Sequence, residues 1–206
     1  MTTHIYASAD HYIRRLHKCG FKTLDSGRFS TVLARRNERH VVKVFSCGDG
    51  EMDMWGEYIY WATLKGYAGR YAPKVYSFKT YASEDGDFYV AFMERFEYAL
   101  RDFPRSERKR FEELKNAAED AAFGDAYSTA RNESPDRQVR GWQSFMCDFA
   151  KHFRKRGLDL HNGNWLIQGE RLCLSDPLSW IDGWHHRAPS AWRYRDLVPQ
   201  LELPLN

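Results

Sequence analysis

The feature that most limits the possible folds is a long apolar stripe that ends in a polar loop. Between residues 138 and 156, large apolar side chains recur every three or four positions, which is the period of one buried helix face. The stripe consists of Val139, Trp142, Phe145, Met146, Phe149 and Phe153. Gly157 breaks the pattern, and residues 158–167 follow as L-D-L-H-N-G-N-W-L-I. The pattern predicts a buried helix, then a polar loop, then an apolar strand.

The rest of the chain has the pattern of an α+β protein. Residues 9–19 show a helical period, and the residues after them have the composition of strands. Strands are predicted over 21–24, 31–34, 40–45, 72–78 and 88–93, and helices over 51–65 and 106–123. We therefore expect a strand-rich N-terminal domain over residues 1–96 and a mainly helical C-terminal domain over residues 97–206.

Length, hydropathy and charge restrict the possible functions. The chain has 206 residues and no run of roughly 18 or more apolar residues, so we do not expect a membrane-spanning helix. Its first residues lack the basic and apolar segments of a secretory signal, which predicts a cytoplasmic protein. The formal net charge is only +3, and the basic clusters at 105–110 and 151–156 are typical of solvated helix faces. We do not expect nucleic acid as a direct, specific ligand.

Asp159 and Asn164 carry the most chemical information. They stand five positions apart in the loop between the helical stripe and an apolar segment. That spacing allows the carboxylate to face an attacking hydroxyl while the amide oxygen holds a metal ion. Gly163 allows the tight backbone that brings the two side chains together. An ordinary polar turn would not explain why Leu158 and residues 165–167 are apolar.

A second acidic residue, Asp176, stands twelve positions after Asn164. It follows the apolar segment 172–174 and precedes Pro177, so by itself it would indicate a surface turn. Together with the preceding loop, it suits a ligand of Mg²⁺, because this cation binds few protein oxygens and takes others from nucleotide phosphates. The sequence therefore predicts a Mg²⁺ site made by Asn164 and Asp176.

Lys43 stands in the middle of an apolar strand, V-V-K-V-F. Burying an unpaired ammonium is costly, so either this face of the strand is exposed or the lysine has an anionic partner. A lysine so placed can pair with the α- and β-phosphates of ATP and with a carboxylate on a helix. Glu57 in the predicted helix is the favoured carboxylate, and Glu51 and Asp53 remain alternatives.

Residues 25–32 have the spacing of a phosphate-binding loop. Positions 25, 27, 30 and 32 fit G-x-G-x-x-G-x-V, in which backbone N–H groups approach nucleotide phosphates. Gly27 and Val32 match by identity, whereas Asp25 and Ser30 stand where glycines are expected. An ordinary hairpin turn explains the segment equally well. If the loop binds nucleotide, Gly27, Ser30 and Val32 line its site.

The order of these segments resembles the protein-kinase-like superfamily over roughly residues 20–185. The chain is most similar to the early serine/threonine protein kinases of lytic, autographivirus-type bacteriophages. The resemblance rests on residues 19–22, 27–30, 42–44, 159–164 and 175–180, which read C-G-F-K, G-R-F-S, V-K-V, D-L-H-N-G-N and S-D-P-L-S-W. The last of these segments is the most specific.

The resemblance implies a minimal bilobal fold, with an antiparallel N-terminal sheet, one helix beside it and a reduced helical C-terminal lobe. It implies an enzyme that uses ATP and Mg²⁺ to phosphorylate host proteins on serine or threonine in the host cell cytoplasm. By position, Lys43 would anchor ATP and Asp159 would position or deprotonate the hydroxyl. Asn164 and Asp176 would bind Mg²⁺.

Two segments depart from the pattern of ordinary protein kinases. G-L-D at 157–159 stands where those enzymes have H-R-D, and this change removes the arginine that reads a phosphorylated activation loop. D-P-L at 176–178 replaces D-F-G, and no A-P-E follows. We therefore do not expect control by activation-loop phosphorylation.

Two other functions stay open. D-L-H-x-G-N is also similar to the motif of aminoglycoside and choline kinases, which phosphorylate a small substrate, although this chain has little length for their larger helical lobe. The other possibility is a pseudokinase that acts by binding a host protein. The substituted glycine loop favours it, and the intact set of Lys43, Asp159, Asn164 and Asp176 argues against it.

Overall fold

The computed structural model describes residues 7–27, 30–36, 38–46, 54–84, 86–123, 134–153 and 157–179. These residues form an α+β protein, which confirms the class expected from the sequence. They divide into two compact units. The first unit contains the described residues of 1–61 and 74–95, and the second contains those of 62–73 and 96–181.

The first described element is a helix, α1 (Ala9–Lys18), in agreement with the prediction for residues 9–19. Ser8 caps it, since the side-chain hydroxyl accepts a 3.1 Å hydrogen bond from a backbone N–H of the first turn. Gly20 takes a φ of +85° just after the helix, a conformation that glycine adopts without steric cost. Tyr12 and Leu16 lie one turn apart and are buried, so they form the inner face of the helix.

The first unit is built on a five-stranded antiparallel sheet. Its strands are β1 (Lys22–Ser26), β2 (Ser30–Ala34), β3 (His40–Ser46), β4 (Val75–Tyr81) and β5 (Phe88–Glu94), in the order β1-β2-β3-β5-β4. A helix, α2 (Trp55–Leu64), separates β3 from β4 in the chain. All five predicted strands are confirmed with small shifts at their ends, and residues 51–53 of the helix predicted over 51–65 lie outside the described part.

The middle strand, β3, is buried on both faces, which explains its nearly continuous run of apolar residues. Val42 and Val44 join the apolar cluster that contains the inner face of α1. Because side chains alternate along a strand, Lys43 and Phe45 face the other side of the sheet. The ring of Phe45 lies 5.3 Å from that of Trp55 in α2, so Lys43 lies on the α2 side.

The second unit contains two long helices that pack against each other, α3 (Arg105–Phe123) and α4 (Arg137–Phe153). Its strands are β6 (Tyr98–Ala99), β7 (Gly157–Leu158), β8 (Trp165–Gln168), β9 (Arg171–Leu174) and β10 (Leu178–Ser179). β6, β8 and β9 form one antiparallel sheet, and β7 pairs with β10. No α-helix within the described ranges has the length and apolar character needed to cross a bilayer.

The apolar stripe on α4 is confirmed as core. Its buried residues are Trp142, Phe145, Met146, Phe149 and Phe153. The ring of Trp142 lies 5.2 Å from that of Trp165, so the helix packs directly on β8. Val139 is only partly buried, and residues 154–156 lie outside the described part of the chain.

Candidate active site

Two backbone hydrogen bonds join the predicted catalytic loop to the segment that carries Asp176. The N–H of Asp159 donates to the carbonyl oxygen of Pro177 at 2.8 Å, and the N–H of Ser175 donates to the carbonyl oxygen of Asn164 at 2.7 Å. Asp176 therefore lies between two residues that are each bonded to one end of the loop. Main-chain pairing therefore brings together the backbone of the three residues that were grouped by their spacing in the sequence.

Two short antiparallel strand pairs flank these two hydrogen bonds. β7 pairs with β10 next to Asp159, and β8 pairs with β9 next to Asn164. A shift of one residue in either ladder would turn every side chain to the opposite face, so the ladders fix which way this segment presents Asp176. Because β7 and β10 are only two residues long, they show no periodic pattern from which they could be predicted.

The side chain of Asn164 is held by the backbone of Asp159. Its Nδ2 donates a 2.8 Å hydrogen bond to the Asp159 carbonyl oxygen. A carbonyl oxygen only accepts, so the amide must turn its NH₂ group toward Asp159 and leave Oδ1 pointing elsewhere. The backbone N–H of Asn164 also donates to the carbonyl oxygen of His161 at 2.9 Å, which closes the turn.

His161 lies beside the carboxylate of Asp159, and sequence reasoning gave it no role. Its Nε2 is 3.6 Å from Oδ1 of Asp159, and its Nδ1 accepts a 2.9 Å hydrogen bond from the N–H of Gly163. A nitrogen that accepts carries no proton, so in this arrangement the imidazole proton is on Nε2, toward the carboxylate. The Asp159 side chain is 39% exposed, which leaves it open to a substrate.

Gly163 lies in close contact with the side chain of His161. A Cβ atom there would lie 2.6 Å from Cε1 and 2.9 Å from Nδ1 of His161, and 3.1 Å from Nη1 of Arg101. Its φ lies outside the left-handed region. The sequence correctly predicted a tight turn at this glycine, but the reason is the space that the imidazole occupies. The same contacts place the Arg101 guanidinium, which sequence reasoning missed, beside the loop.

Trp165 anchors the loop to the core of the second unit. It is completely buried, and its Nε1 donates a 3.1 Å hydrogen bond to the carbonyl oxygen of Leu160. Leu160 is itself buried. The loop therefore has polar side chains outside and apolar side chains beneath, which explains the apolar flanks seen in the sequence.

Lys43 is buried, with 5% of its surface exposed, so the alternative of an exposed strand face is wrong. It lies opposite Ala91 of β5 in the middle of the sheet. Its Nζ lies 4.4 Å from the ring centroid of Trp55 and 5.8 Å from that of Phe45. A desolvated cation–π contact contributes about 2 kcal/mol, which offsets part of the cost of burying the ammonium.

Glu57 lies in the first turn of α2, two residues after Trp55. It is partly buried and belongs to the same unit as Lys43. Its pairing with Lys43 stays a prediction. The alternatives, Glu51 and Asp53, lie outside the described residues.

The segment predicted to bind phosphates forms the β1–β2 hairpin. The N–H of Gly27 donates to the carbonyl oxygen of Ser30 at 2.8 Å, so this N–H is used within the hairpin. A Cβ atom on Gly27 would meet no atom within 4 Å. Val32 lies opposite Lys43 in the β2–β3 ladder, which places the end of this segment beside the buried lysine. Residues 28–29 lie outside the described part.

The oxygens available in the second unit fit Mg²⁺ better than a softer metal. Asn164 can supply an amide oxygen and Asp176 a carboxylate, and hard cations prefer such ligands. Within the described ranges, no group of three or more His, Cys, Asp or Glu residues is placed to hold a metal ion. Because Mg²⁺ usually binds through one or two carboxylates together with substrate phosphates, these two side chains would suffice to hold it beside a nucleotide.

No model of a protein family matches this chain, and no curated protein matches it. The function proposed below therefore rests on the site residues and on the resemblance of their motifs.

Proposed function

We propose that this chain is an ATP-dependent serine/threonine protein kinase of the phage type, with a minimal bilobal kinase-like fold. The observation that carries the proposal is the set of hydrogen bonds that joins Asp159 and Asn164 to each other and to Ser175 and Pro177, the residues on either side of Asp176. A carboxylate for the hydroxyl, an amide and a second carboxylate for the metal are the groups that phosphoryl transfer requires. The buried Lys43 in an antiparallel sheet gives independent support.

Asp159 is the residue that meets the substrate hydroxyl. Its carboxylate accepts the hydroxyl proton as the serine or threonine oxygen bonds to the γ-phosphorus of ATP. The bond from that phosphorus to the β,γ-bridging oxygen breaks, and ADP carries the electron pair away. The Nε2 of His161 lies 3.6 Å from this carboxylate, so the imidazole can orient it by electrostatic attraction without a direct hydrogen bond.

Asn164 and Asp176 hold the metal site, and the backbone bonds around them fix its position. When bound there, Mg²⁺ neutralises charge on the phosphate oxygens of ATP. The amide oxygen of Asn164 serves this site because its NH₂ group is engaged with the Asp159 backbone. One hydrogen bond thus couples the residue that holds the metal to the residue that meets the hydroxyl.

Lys43 pairs with the α- and β-phosphates of ATP. The rings of Trp55 and Phe45 keep water away from its ammonium, which strengthens the attraction to phosphate. Glu57 is its proposed carboxylate partner. The hairpin residues Gly27, Ser30 and Val32 line the nucleotide, and host proteins in the infected cell are the substrates, as the resemblance implies.

Two structural observations keep the other functions in view. The exposed Asp159 carboxylate is also open to a small hydroxyl substrate, as in an aminoglycoside or choline kinase. The N–H of Gly27 is engaged within the hairpin, which removes one donor from the nucleotide phosphates and favours a pseudokinase. A phosphate-transfer assay, with a measurement of ATP binding beside it, separates the three functions.

The test is phosphate transfer from radiolabelled ATP and Mg²⁺ to a bacterial lysate, in parallel with a panel of aminoglycosides and choline. We expect labelled protein bands with the wild-type chain and labelled serine or threonine after hydrolysis. Asp159→Ala should reduce transfer about 10²–10⁴-fold, because it removes a positioned base. Asp120→Ala, the same change at an exposed position on α3, is the matched control and should transfer normally.

Equal transfer by Asp159→Ala and the wild type would sink the assignment. Label on an aminoglycoside or choline, with none on protein, would select the small-molecule enzyme. No label on protein or on any small molecule, with ATP still bound in a separate binding measurement, would select the pseudokinase.

A further inference from the structure

A basic cavity lies in the second unit, and the proposed reaction does not use it. Its volume is about 460 Å³, within the range of roughly 300–1,000 Å³ that is usual for ligand sites. Four separate segments contribute to it: residues 69–71, Leu114 of α3, the first turns of α4, and the β8–β9 hairpin. The charged residues that line it are three arginines and one glutamate: Arg70, Arg137, Arg171 and Glu170.

Arg171 is fixed in place at this cavity. Its Nη1 donates to the carbonyl oxygen of Gly69 at 2.5 Å, and its Nη2 donates to Oε1 of Gln168 at 2.8 Å. The guanidinium also lies 5.3 Å from the ring centroid of Phe96. These three contacts keep the Arg171 charge at one point of the cavity wall. Because the side chain is already ordered, it loses little further entropy when a ligand binds.

Arg70 and Arg137 bring two more charges to the cavity, and both side chains are exposed. In the described part of the chain, neither makes an ion pair with a carboxylate. The guanidinium of Arg70 lies 4.9 Å from the ring centroid of Tyr71, and Arg137 is the first residue of α4. Burial raises the pKa of the Tyr71 phenol, while the charges of both arginines oppose that rise. Both arginines thus lie near enough to the Tyr71 phenol to influence its pKa, and all three residues line the cavity.

The chemistry of this wall fits a single, compact, doubly charged oxyanion. An arginine guanidinium can donate two parallel hydrogen bonds to two oxygens of one phosphate. Several guanidiniums around one phosphate are a common way to bind it. The buried side chains of Trp142 and Leu172 add an apolar surface for the carbon atoms that carry the phosphate. The Glu170 carboxylate would repel a second phosphate next to the first. The cavity is therefore less suited to a nucleic-acid strand, which has a phosphate at every nucleotide, than to a peptide with a single phosphate.

We propose that this cavity binds a phosphate monoester carried on a protein chain, as phosphoserine or phosphothreonine. The proposal goes beyond the proposed kinase activity, because it assigns a docking site for proteins that are already phosphorylated. Such a site would direct the chain to phosphorylated partners whether or not it transfers phosphate itself.

The test measures binding of degenerate peptide libraries with a fixed central phosphoserine or phosphothreonine to the full chain without ATP. The same libraries without phosphate, and a single-stranded oligonucleotide, are measured beside them. We expect the phosphorylated libraries to bind, the unphosphorylated ones not to bind, and the oligonucleotide to bind more weakly than the phosphopeptides. The Asp159→Ala chain should give the same result, which separates this site from the proposed reaction.

Substitutions then assign the binding to this cavity. Arg70→Ala combined with Arg137→Ala should weaken phosphopeptide binding at least tenfold, because each removes a charge-assisted contact. Arg137→Lys keeps the positive charge but cannot form two parallel hydrogen bonds to the phosphate, so this variant should bind the phosphopeptides with intermediate strength. Arg105→Ala, at an exposed position on α3, is the matched control and should bind normally. Thermal unfolding of each variant confirms that the fold is retained.

Several results would overturn the proposal. Equal binding of phosphorylated and unphosphorylated libraries, or no binding by either, would exclude a phosphate-reading site. Tighter binding of the oligonucleotide, lost in the same double variant, would make the cavity a nucleic-acid contact. An equal loss in Arg105→Ala would place the interaction elsewhere.

Discussion

The Nδ2 of Asn164 donates a 2.8 Å hydrogen bond to the main-chain carbonyl oxygen of Asp159. This bond spans the loop in which both residues stand and sets the direction of the amide. It leaves Oδ1 as the group that can face a cation. The side chain that is proposed to hold Mg²⁺ therefore depends on the backbone that carries the proposed base.

Replacing Asn164 with aspartate tests this dependence. The carboxylate cannot donate to the Asp159 carbonyl, so Asn164→Asp should lose the loop bond although it keeps an oxygen ligand. We expect a lower kcat and a shifted Mg²⁺ requirement, with a loss of stability of about 1 kcal/mol for the missing hydrogen bond. Magnesium titration of phosphate transfer and thermal unfolding measure the two effects. Wild-type transfer at every Mg²⁺ concentration would show that the amide has no role at the metal site.

His161 can be tested with a pair of substitutions. In His161→Asn, the amide oxygen can accept the N–H of Gly163, but nothing reaches the Asp159 carboxylate. In His161→Ala both contacts are lost. If the imidazole positions the carboxylate, both variants should lower kcat with little change in the KM for ATP, and only His161→Ala should also lose stability. A rise in KM for ATP with unchanged kcat would place His161 at the nucleotide instead.

Lys43→Met tests the nucleotide site. Methionine approximates the length and apolar body of lysine but has no charge, so the apolar contacts with Trp55 and the sheet can remain. We expect the KM for ATP to rise and transfer to fall, with the sheet still folded by circular dichroism. Lys22→Met, at an exposed position on β1, is the matched control. An equal effect in the control, or unchanged use of ATP in Lys43→Met, would contradict the proposed role.

Sequence patterns predicted the parts of the fold that have a local cause. The period of α4 and the β-branched run of β3 are visible in the chain itself, because each element buries a regular face. The spacing from Asp159 to Asn164 indicated one loop, and the structure describes it with the expected turn at Gly163. These features needed no knowledge of distant contacts.

The remaining features depend on contacts between distant parts of the chain. The ring of Trp55 meets Lys43 only because the start of α2 lies against one face of the sheet, and nothing in the sequence between them indicates this. Arg70, Arg137 and Arg171 come from three separate segments, so no run of basic residues marks their cavity. The proposed role of His161 follows from which nitrogen Gly163 contacts, and that requires the folded loop.

Gly141 offers a test of packing at the core of the second unit. It lies on α4, and a Cβ atom there would overlap the hydroxyl of Tyr71, whose ring is held by Trp142 and Phe145 at 4.9 and 5.2 Å between centroids. Alanine favours a helix by roughly 1 kcal/mol over glycine, but overpacking a fixed ring costs about 1–3 kcal/mol, so Gly141→Ala should destabilise. Gly56→Ala on α2 meets no atom within 4 Å and should leave the unfolding midpoint unchanged or slightly higher. If chemical denaturation shows Gly141→Ala to be as stable as the Gly56→Ala control, the Tyr71 ring has room to move and does not constrain this helix.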